Sequence, residues 1–270
     1  MTSILDQFNY QVSGPKNGRK WVFLHGLMGF GQNWRRIVQM LGPDECVLTF
    51  DQRGHGKSMK PAVGYSPEDY AEDVLQITEA LGWNKFILVG HSMGGRNALV
   101  FADLYPHKVE KLVIVDIGPE AKPAAIDYFR NLLGLVPTPF ASKKEAKEFL
   151  LNEFPKRAAH LAQPETLGAY FYANIIELEN GQADWRFSKE AILESVAAGR
   201  AQDHWNEVRN LKMPTLIIRG ENSPDLSAET LQHMAQSNPR VQTRVISGAA
   251  HWVHTDQPEA FVQALKEFTG

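Results

Sequence analysis

One cysteine, Cys46, is all that the chain of 270 residues contains. A lone thiol closes no internal disulfide, and no second cysteine is present to build a zinc cluster. Cys46 stands in an apolar run and is expected to be buried. A long apolar run is also missing: no stretch approaches the roughly 18 residues that span a bilayer, which speaks against membrane insertion. A basic excess is missing too. The 28 Lys and Arg against 31 Asp and Glu leave a net charge of −3, so nothing favours a nucleic-acid partner. The N-terminal stretch Met-Thr-Ser-Ile-Leu-Asp-Gln-Phe-Asn has neither a basic n-region nor an apolar h-region, so the expectation is no signal peptide and a cytoplasmic chain.

What is present is a set of short apolar runs, each ending in a polar residue or glycine. Trp21-Val22-Phe23-Leu24 ends at His25-Gly26, Cys46 to Phe50 at Asp51, and Phe86 to Val89 at Gly90. Leu112 to Val115 ends at Asp116, Thr215 to Ile218 runs to Gly220, and Thr243 to Ile246 ends at Ser247-Gly248. Their length and β-branched content suit strands buried on both faces, as parallel strands are. Phe8 to Val12 adds a candidate edge strand. Between the runs lie helical patterns, including residues 67–81, which begin with Pro67 after Ser66, and residues 258–268. Strands alternating with helices predict an α/β fold with a mostly parallel twisted sheet and helices on both faces.

The alternation stops between about 119 and 210. Helical segments at Lys143 to Leu151, Pro164 to Asn174 and Lys189 to Ala198 are separated by Pro137, Pro139, Pro155 and Pro164. The expected organisation is a core made of 1–118 and 211–270, with 119–210 inserted as a helical cap.

The most informative stretch is Gly90-His91-Ser92-Met93-Gly94-Gly95, between an apolar strand and a helix. A turn this tight strains the backbone at the serine and leaves room only for glycine at the flanking positions. It presents Ser92 Oγ at the carboxyl edge of the sheet, where open α/β folds bind ligands. The Met93 N–H, at the start of the following helix, points into the same space.

Together with His25-Gly26-Leu27-Met28-Gly29, Asp51-Gln52-Arg53-Gly54-His55-Gly56 and Gly248-Ala249-Ala250-His251-Trp252, this stretch resembles the signature series of the α/β-hydrolase superfamily. The chain is most similar to its small serine carboxylesterases and acyl thioesterases. The resemblance implies the α/β-hydrolase fold with Ser92 as nucleophile and chain order serine, acid, histidine. Of nine histidines, His251 lies where the family places its base, with His254 the neighbouring rival. The family often carries its acid three residues after the glycine that here is Gly220, but that position is Ser223. Some members of the family instead take the acid from the end of the strand after the nucleophile helix, which the resemblance places at Asp116; Asp116 is preferred, with Asp225 as the alternative. The oxyanion donors expected are the amides of Leu27 and Met93. Arg53 and Ser58 are expected to hold the turn after the second buried strand.

The expected chemistry is cleavage of a small-molecule acyl ester or thioester through an acyl-enzyme, with no metal and no organic cofactor. Candidate substrate-binding residues are His25, which also has a bracing role in its loop, together with Phe140, Tyr170 and Trp185 of the insertion. A perhydrolase, a C–C hydrolase or lyase, a non-catalytic ligand receptor and an interfacial lipase remain alternatives on the same scaffold.

Overall fold

Alternate residues of the apolar runs face opposite ways, as a β-strand requires. Val22, Leu24, Leu88 and Ile114 belong to one buried cluster, and Trp21, Phe23, Val89 and Val113 to another. The two clusters are the opposite faces of a seven-stranded sheet. The computed structural model describes residues 3–161 and 163–270; Met1 and Thr2 of the N-terminal stretch read above, and Ala162 of the insertion, lie outside them.

The strands are β1 (Tyr10–Ser13), β2 (Arg19–Leu24), β3 (Glu45–Phe50), β4 (Phe86–His91), β5 (Val109–Val115), β8 (Thr215–Gly220) and β9 (Val241–Ile246), with the short β6 (Ile175–Glu177) and β7 (Ala183–Trp185) between. Their order across the large sheet is β1-β3-β2-β4-β5-β8-β9, with only β1 antiparallel to its neighbour. The helices are α1 (Arg35–Leu41), α2 (Pro67–Ala80), α3 (Met93–Leu104), α4 (Ala125–Gly134), α5 (Lys143–Glu148), α6 (Phe154–Arg157), α7 (Pro164–Ala173), α8 (Lys189–Gly199), α9 (Trp205–Asn210), α10 (Ala228–Ser237), α11 (Val253–Asp256) and α12 (Pro258–Thr269).

Local chemistry explains the helix starts. Ser66 Oγ accepts the Asp69 N–H at 3.2 Å and the Asp69 carboxylate accepts the Ser66 N–H at 2.9 Å. This reciprocal box, followed by Pro67, fixes the first turn of α2. Removing such a cap costs about 1 kcal/mol.

Two features differ from the sequence pattern. β9 is a sheet edge: four of its six residues are exposed, Val245 among them, so it is not covered on both faces. The segment between β5 and β8 is also not wholly helical. β6 and β7 form an antiparallel pair, and Phe140 bridges to Ala183 beside them. Three residues per strand are too few for a period of two to show. α5 runs on through a π-helical turn at Phe149–Glu153 into α6, which carries the chain past Pro155. The core of this segment is aromatic, with Phe140, Phe149, Phe154, Phe171 and Trp185 buried together.

Candidate active site

Ser92 joins β4 to α3 with φ 53° and ψ −118°, in the region that side chains other than glycine rarely occupy. Its N–H donates to the Val115 carbonyl at 2.9 Å, and its own carbonyl accepts the N–H groups of Gly95 and Arg96 at 2.9 and 3.1 Å. These bonds over-determine the strained conformation. The flanking glycines are required by close approach. A Cβ on Gly90 would lie 2.1 Å from the Gly94 carbonyl oxygen, and one on Gly94 would lie 2.6 Å from the backbone oxygens of Leu24 and His25.

The end of β5 brings a buried carboxylate. Asp116 is fully buried, with φ 56°, and its N–H donates to the Ile218 carbonyl at 2.8 Å. A buried carboxylate needs donors, and Asp116 has three. The Gly220 N–H reaches Oδ1 at 3.0 Å. The Ser223 hydroxyl and His251 Nδ1, the latter at 2.8 Å, both reach Oδ2. Asp225 Oδ2 lies 3.2 Å from the same Nδ1. One carboxylate oxygen each of Asp116 and Asp225 and one ring nitrogen of His251 thus lie within 4.8 Å of one another. Carboxylates only accept, so the proton of His251 sits on Nδ1 and Nε2 is left to accept. Burial pulls the His251 imidazole down. The Asp116 hydrogen bond, then the charges of Asp225 and Asp116, outweigh that pull against the opposing charge of Arg200, so its pKa stands above the ordinary histidine value.

The other histidines near the site are buried and engaged in packing or in bonds to the backbone. His91, the residue before Ser92, is buried and donates from Nε2 to the His251 carbonyl at 2.8 Å. Burial, and then the neighbouring His251, hold it well below the ordinary value, so it is a neutral donor. His254 is buried and stacked on Trp34 at 4.3 Å between centroids, and burial pushes it down to about 3. It does not line the cavity that Ser92 and His251 share. His25 is 1% exposed. It donates from Nδ1 to the Gly26 carbonyl at 2.8 Å and accepts the Gln52 N–H on Nε2 at 2.9 Å. His55 Nε2 accepts the Met28 N–H at 3.1 Å. Both imidazoles thus pin the loop after β2. Arg53 ties the loop after β3 to α2 through two bonds to Asp73, at 2.6 and 2.5 Å, and Ser58 Oγ accepts the Asn9 N–H at 2.9 Å.

Ser92, His251 and Asp225 line one cavity of about 500 Å³ under the segment between β5 and β8. No hydrogen bond joins the Ser92 hydroxyl to the His251 ring among the described residues; such contacts commonly tighten only when substrate binds. Leu27 and Met93 also lie on the wall, and neither amide N–H has a backbone acceptor among the described residues.

Of the other residues named from the sequence, Tyr170 reaches the cavity, and its hydroxyl donates to the Leu27 carbonyl at 2.9 Å. Phe140 and Trp185 do not line it; they pack in the aromatic core between β5 and β8. His25 is not on its wall either. Sequence reasoning missed Ser223 as a donor to Asp116, His91 as the tie to His251, and two arginines, Arg96 and Arg200, on the cavity wall. Arg96 had a signal, as the one charged residue of Met93 to Ala102.

Known proteins resemble the chain over nearly its whole length. A 2-(acetamidomethylene)succinate hydrolase of Mesorhizobium japonicum is 28% identical over 264 residues, 98% of this chain and 92% of that one. Esterase YbfF of Escherichia coli is 26% identical over 255 residues, 93% of each chain. The solved structure of a marine microorganism esterase superposes with a TM-score of 0.83 at 25% identity, covering 97% of this chain and 99% of that one. The family described as alpha/beta hydrolase fold matches residues 22–258, and the chain belongs to it.

Proposed function

We propose that the protein is a carboxylesterase-type serine hydrolase that cleaves esters, or thioesters, of small to medium acyl groups. The observation that carries this reading is the shared cavity. It holds a strained serine, a histidine whose Nδ1 is held by a buried carboxylate, and two backbone amides without acceptors.

In the first step His251 Nε2 takes the Ser92 hydroxyl proton as Oγ attacks the substrate carbonyl carbon. The oxyanion that forms accepts hydrogen bonds from the Leu27 and Met93 amides. The tetrahedral species collapses, the bond to the leaving oxygen or sulfur breaks, and the leaving group carries away the proton from Nε2. Water then attacks the acyl-enzyme. Its proton passes to Nε2 and then to Ser92 Oγ as the carboxylic acid departs. Asp116 is the acid of this triad. It keeps the imidazole proton on Nδ1 and offsets the positive charge that develops on the ring. Asp225, with a side chain 36% exposed, adds charge from the solvent side.

The size and wall of the cavity support a compact acyl group. Leu27, Met28, Phe129, Leu132 and Leu167 supply apolar surface beside Ser92, and about 500 Å³ is in the range of small-molecule sites. Among the described residues no helix is long and apolar enough to cross a membrane. The test is a panel of 4-nitrophenyl esters and matched thioesters of increasing acyl length, with peptide amides as the contrast. The expected result is a kcat/KM maximum at short to medium chains and negligible amide cleavage. Equal or faster cleavage of peptides would overturn this reading.

A further inference from the structure

Arg96 sits one turn into α3 after Ser92, and it is 5% exposed. A buried guanidinium ordinarily has a carboxylate or carbonyl partner, because leaving its charge uncompensated is costly. Arg96 has none among the described residues: its Nε and one terminal nitrogen are buried without any hydrogen-bond partner there. It lines the cavity that holds Ser92.

A second arginine on the same wall compounds the cost. Arg200, just past the end of α8, also lines the cavity and also forms no ion pair among the described residues. Burial, and then the charge of Arg200, pull the Arg96 pKa down to about 9, which leaves it cationic at neutral pH. The acidic groups acting on Arg200 are already engaged elsewhere. Asp225 sits at His251 Nδ1, and Glu120 accepts from the Thr230 hydroxyl. Asp225 lies on the same wall and offsets part of the charge of Arg200, but Arg96 keeps no partner among the described residues, and the two arginines repel each other across one cavity. An apolar side chain would pack there at lower cost if packing were the only demand. The planar fork of a guanidinium matches a carboxylate with two parallel bonds, which makes an anionic oxygen group the natural complement.

We propose that Arg96 and Arg200 form an anion subsite beside the nucleophile, and that the substrates are esters or thioesters bearing a free carboxylate. This rests on the hydrolase reading above and narrows it to a substrate class. The carboxylate lies between the two guanidiniums while the scissile carbonyl lies at Ser92 Oγ. Binding the anion relieves the repulsion between the arginines and anchors the acyl group relative to the nucleophile.

The test uses two matched pairs. One pair carries the charge on the acyl side: the mono-4-nitrophenyl ester of adipate and its methyl ester. The other carries it on the leaving group: 3-acetoxybenzoate and its methyl ester. The expected result is a kcat/KM at least tenfold higher for the anion than for its neutral partner in one of the pairs. Arg200→Gln and Arg96→Gln are each expected to collapse that ratio at least fivefold. Arg96 is buried, so circular dichroism accompanies its variant, and Arg200→Gln carries the test if Arg96→Gln does not fold. Calorimetry of adipate with Ser92→Ala separates the two claims. Esters cleaved without anionic preference, and no adipate binding, would overturn the subsite and leave the hydrolase reading intact. Adipate binding that is lost in Arg200→Gln, with no ester cleaved by the wild type, would overturn the hydrolase reading and leave the subsite intact.

Discussion

His91 Nε2 donates to the carbonyl oxygen of His251 at 2.8 Å. The residue next to the proposed nucleophile thus holds the backbone of the proposed base, across 160 positions of sequence. The elbow and the loop after β9 are tied by one bond that takes no part in the chemistry. Its buried donor is uncharged, since burial and His251 keep His91 well below the ordinary histidine value. A net hydrogen bond of this kind is worth about 1 kcal/mol. His91→Leu should therefore lower kcat about fivefold or more, and His91→Gln, which keeps a donor, should retain more activity. Steady-state kinetics on a neutral ester check this, and equal rates for the two variants would contradict it.

The pH profile follows from the carboxylates at His251 Nδ1. The base must be neutral to take the Ser92 proton, so kcat/KM should rise with pH through the His251 pKa. Because that pKa is raised, activity is lost as pH falls through a value above the ordinary 6.5. Asp225→Asn removes one raising charge and should move this acid limb to lower pH while leaving substantial turnover. Asp116→Asn removes the buried partner and should cost on the order of 10³ to 10⁴ in kcat. A larger loss in Asp225→Asn than in Asp116→Asn would reverse the assignment of the acid.

Much of the candidate site is legible in the sequence because its parts are local. Gly90-His91-Ser92-Met93-Gly94 is a strand, a turn and a helix start in one stretch, and the steric demand for glycine is written in the residues themselves. His251 is legible by its place after the last strand. Ser223 is different: nothing nearby in the chain shows that its hydroxyl meets a carboxylate 107 positions away. Phe140 and Trp185 have the composition of pocket residues and of core residues alike, and only packing distinguishes the two. The exposure of β9 depends on which strand has no further neighbour, a property of sheet order that its own residues do not encode.

The glycines of the elbow carry a stability prediction. A Cβ on Gly90 or Gly94 would overlap backbone oxygen, which cannot rotate away as a side chain can. Gly90→Ala and Gly94→Ala should each lose about 3 kcal/mol or more, the upper part of the range for overpacking. Urea midpoints measure it, and a variant as stable as wild type would contradict the close approach.

Tyr170 links α7 to the loop after β2 through its bond to the Leu27 carbonyl. Tyr170→Phe deletes only that hydroxyl. The expected effect is a several-fold drop in kcat, from about 1 kcal/mol of lost positioning, with little change in the thermal midpoint. An unchanged kcat would show that the Leu27 amide holds its place without this tie.

The central claim is that Ser92 Oγ is the activated nucleophile. Intact-protein mass spectrometry after treatment with a fluorophosphonate, followed by peptide mapping, tests it most directly. The account predicts one adduct per chain, on Ser92, absent from Ser92→Ala, with kcat on a short-chain ester falling on the order of 10⁴ to 10⁶ in that variant. Near-normal turnover by Ser92→Ala, or an adduct on another residue of an active enzyme, would contradict it.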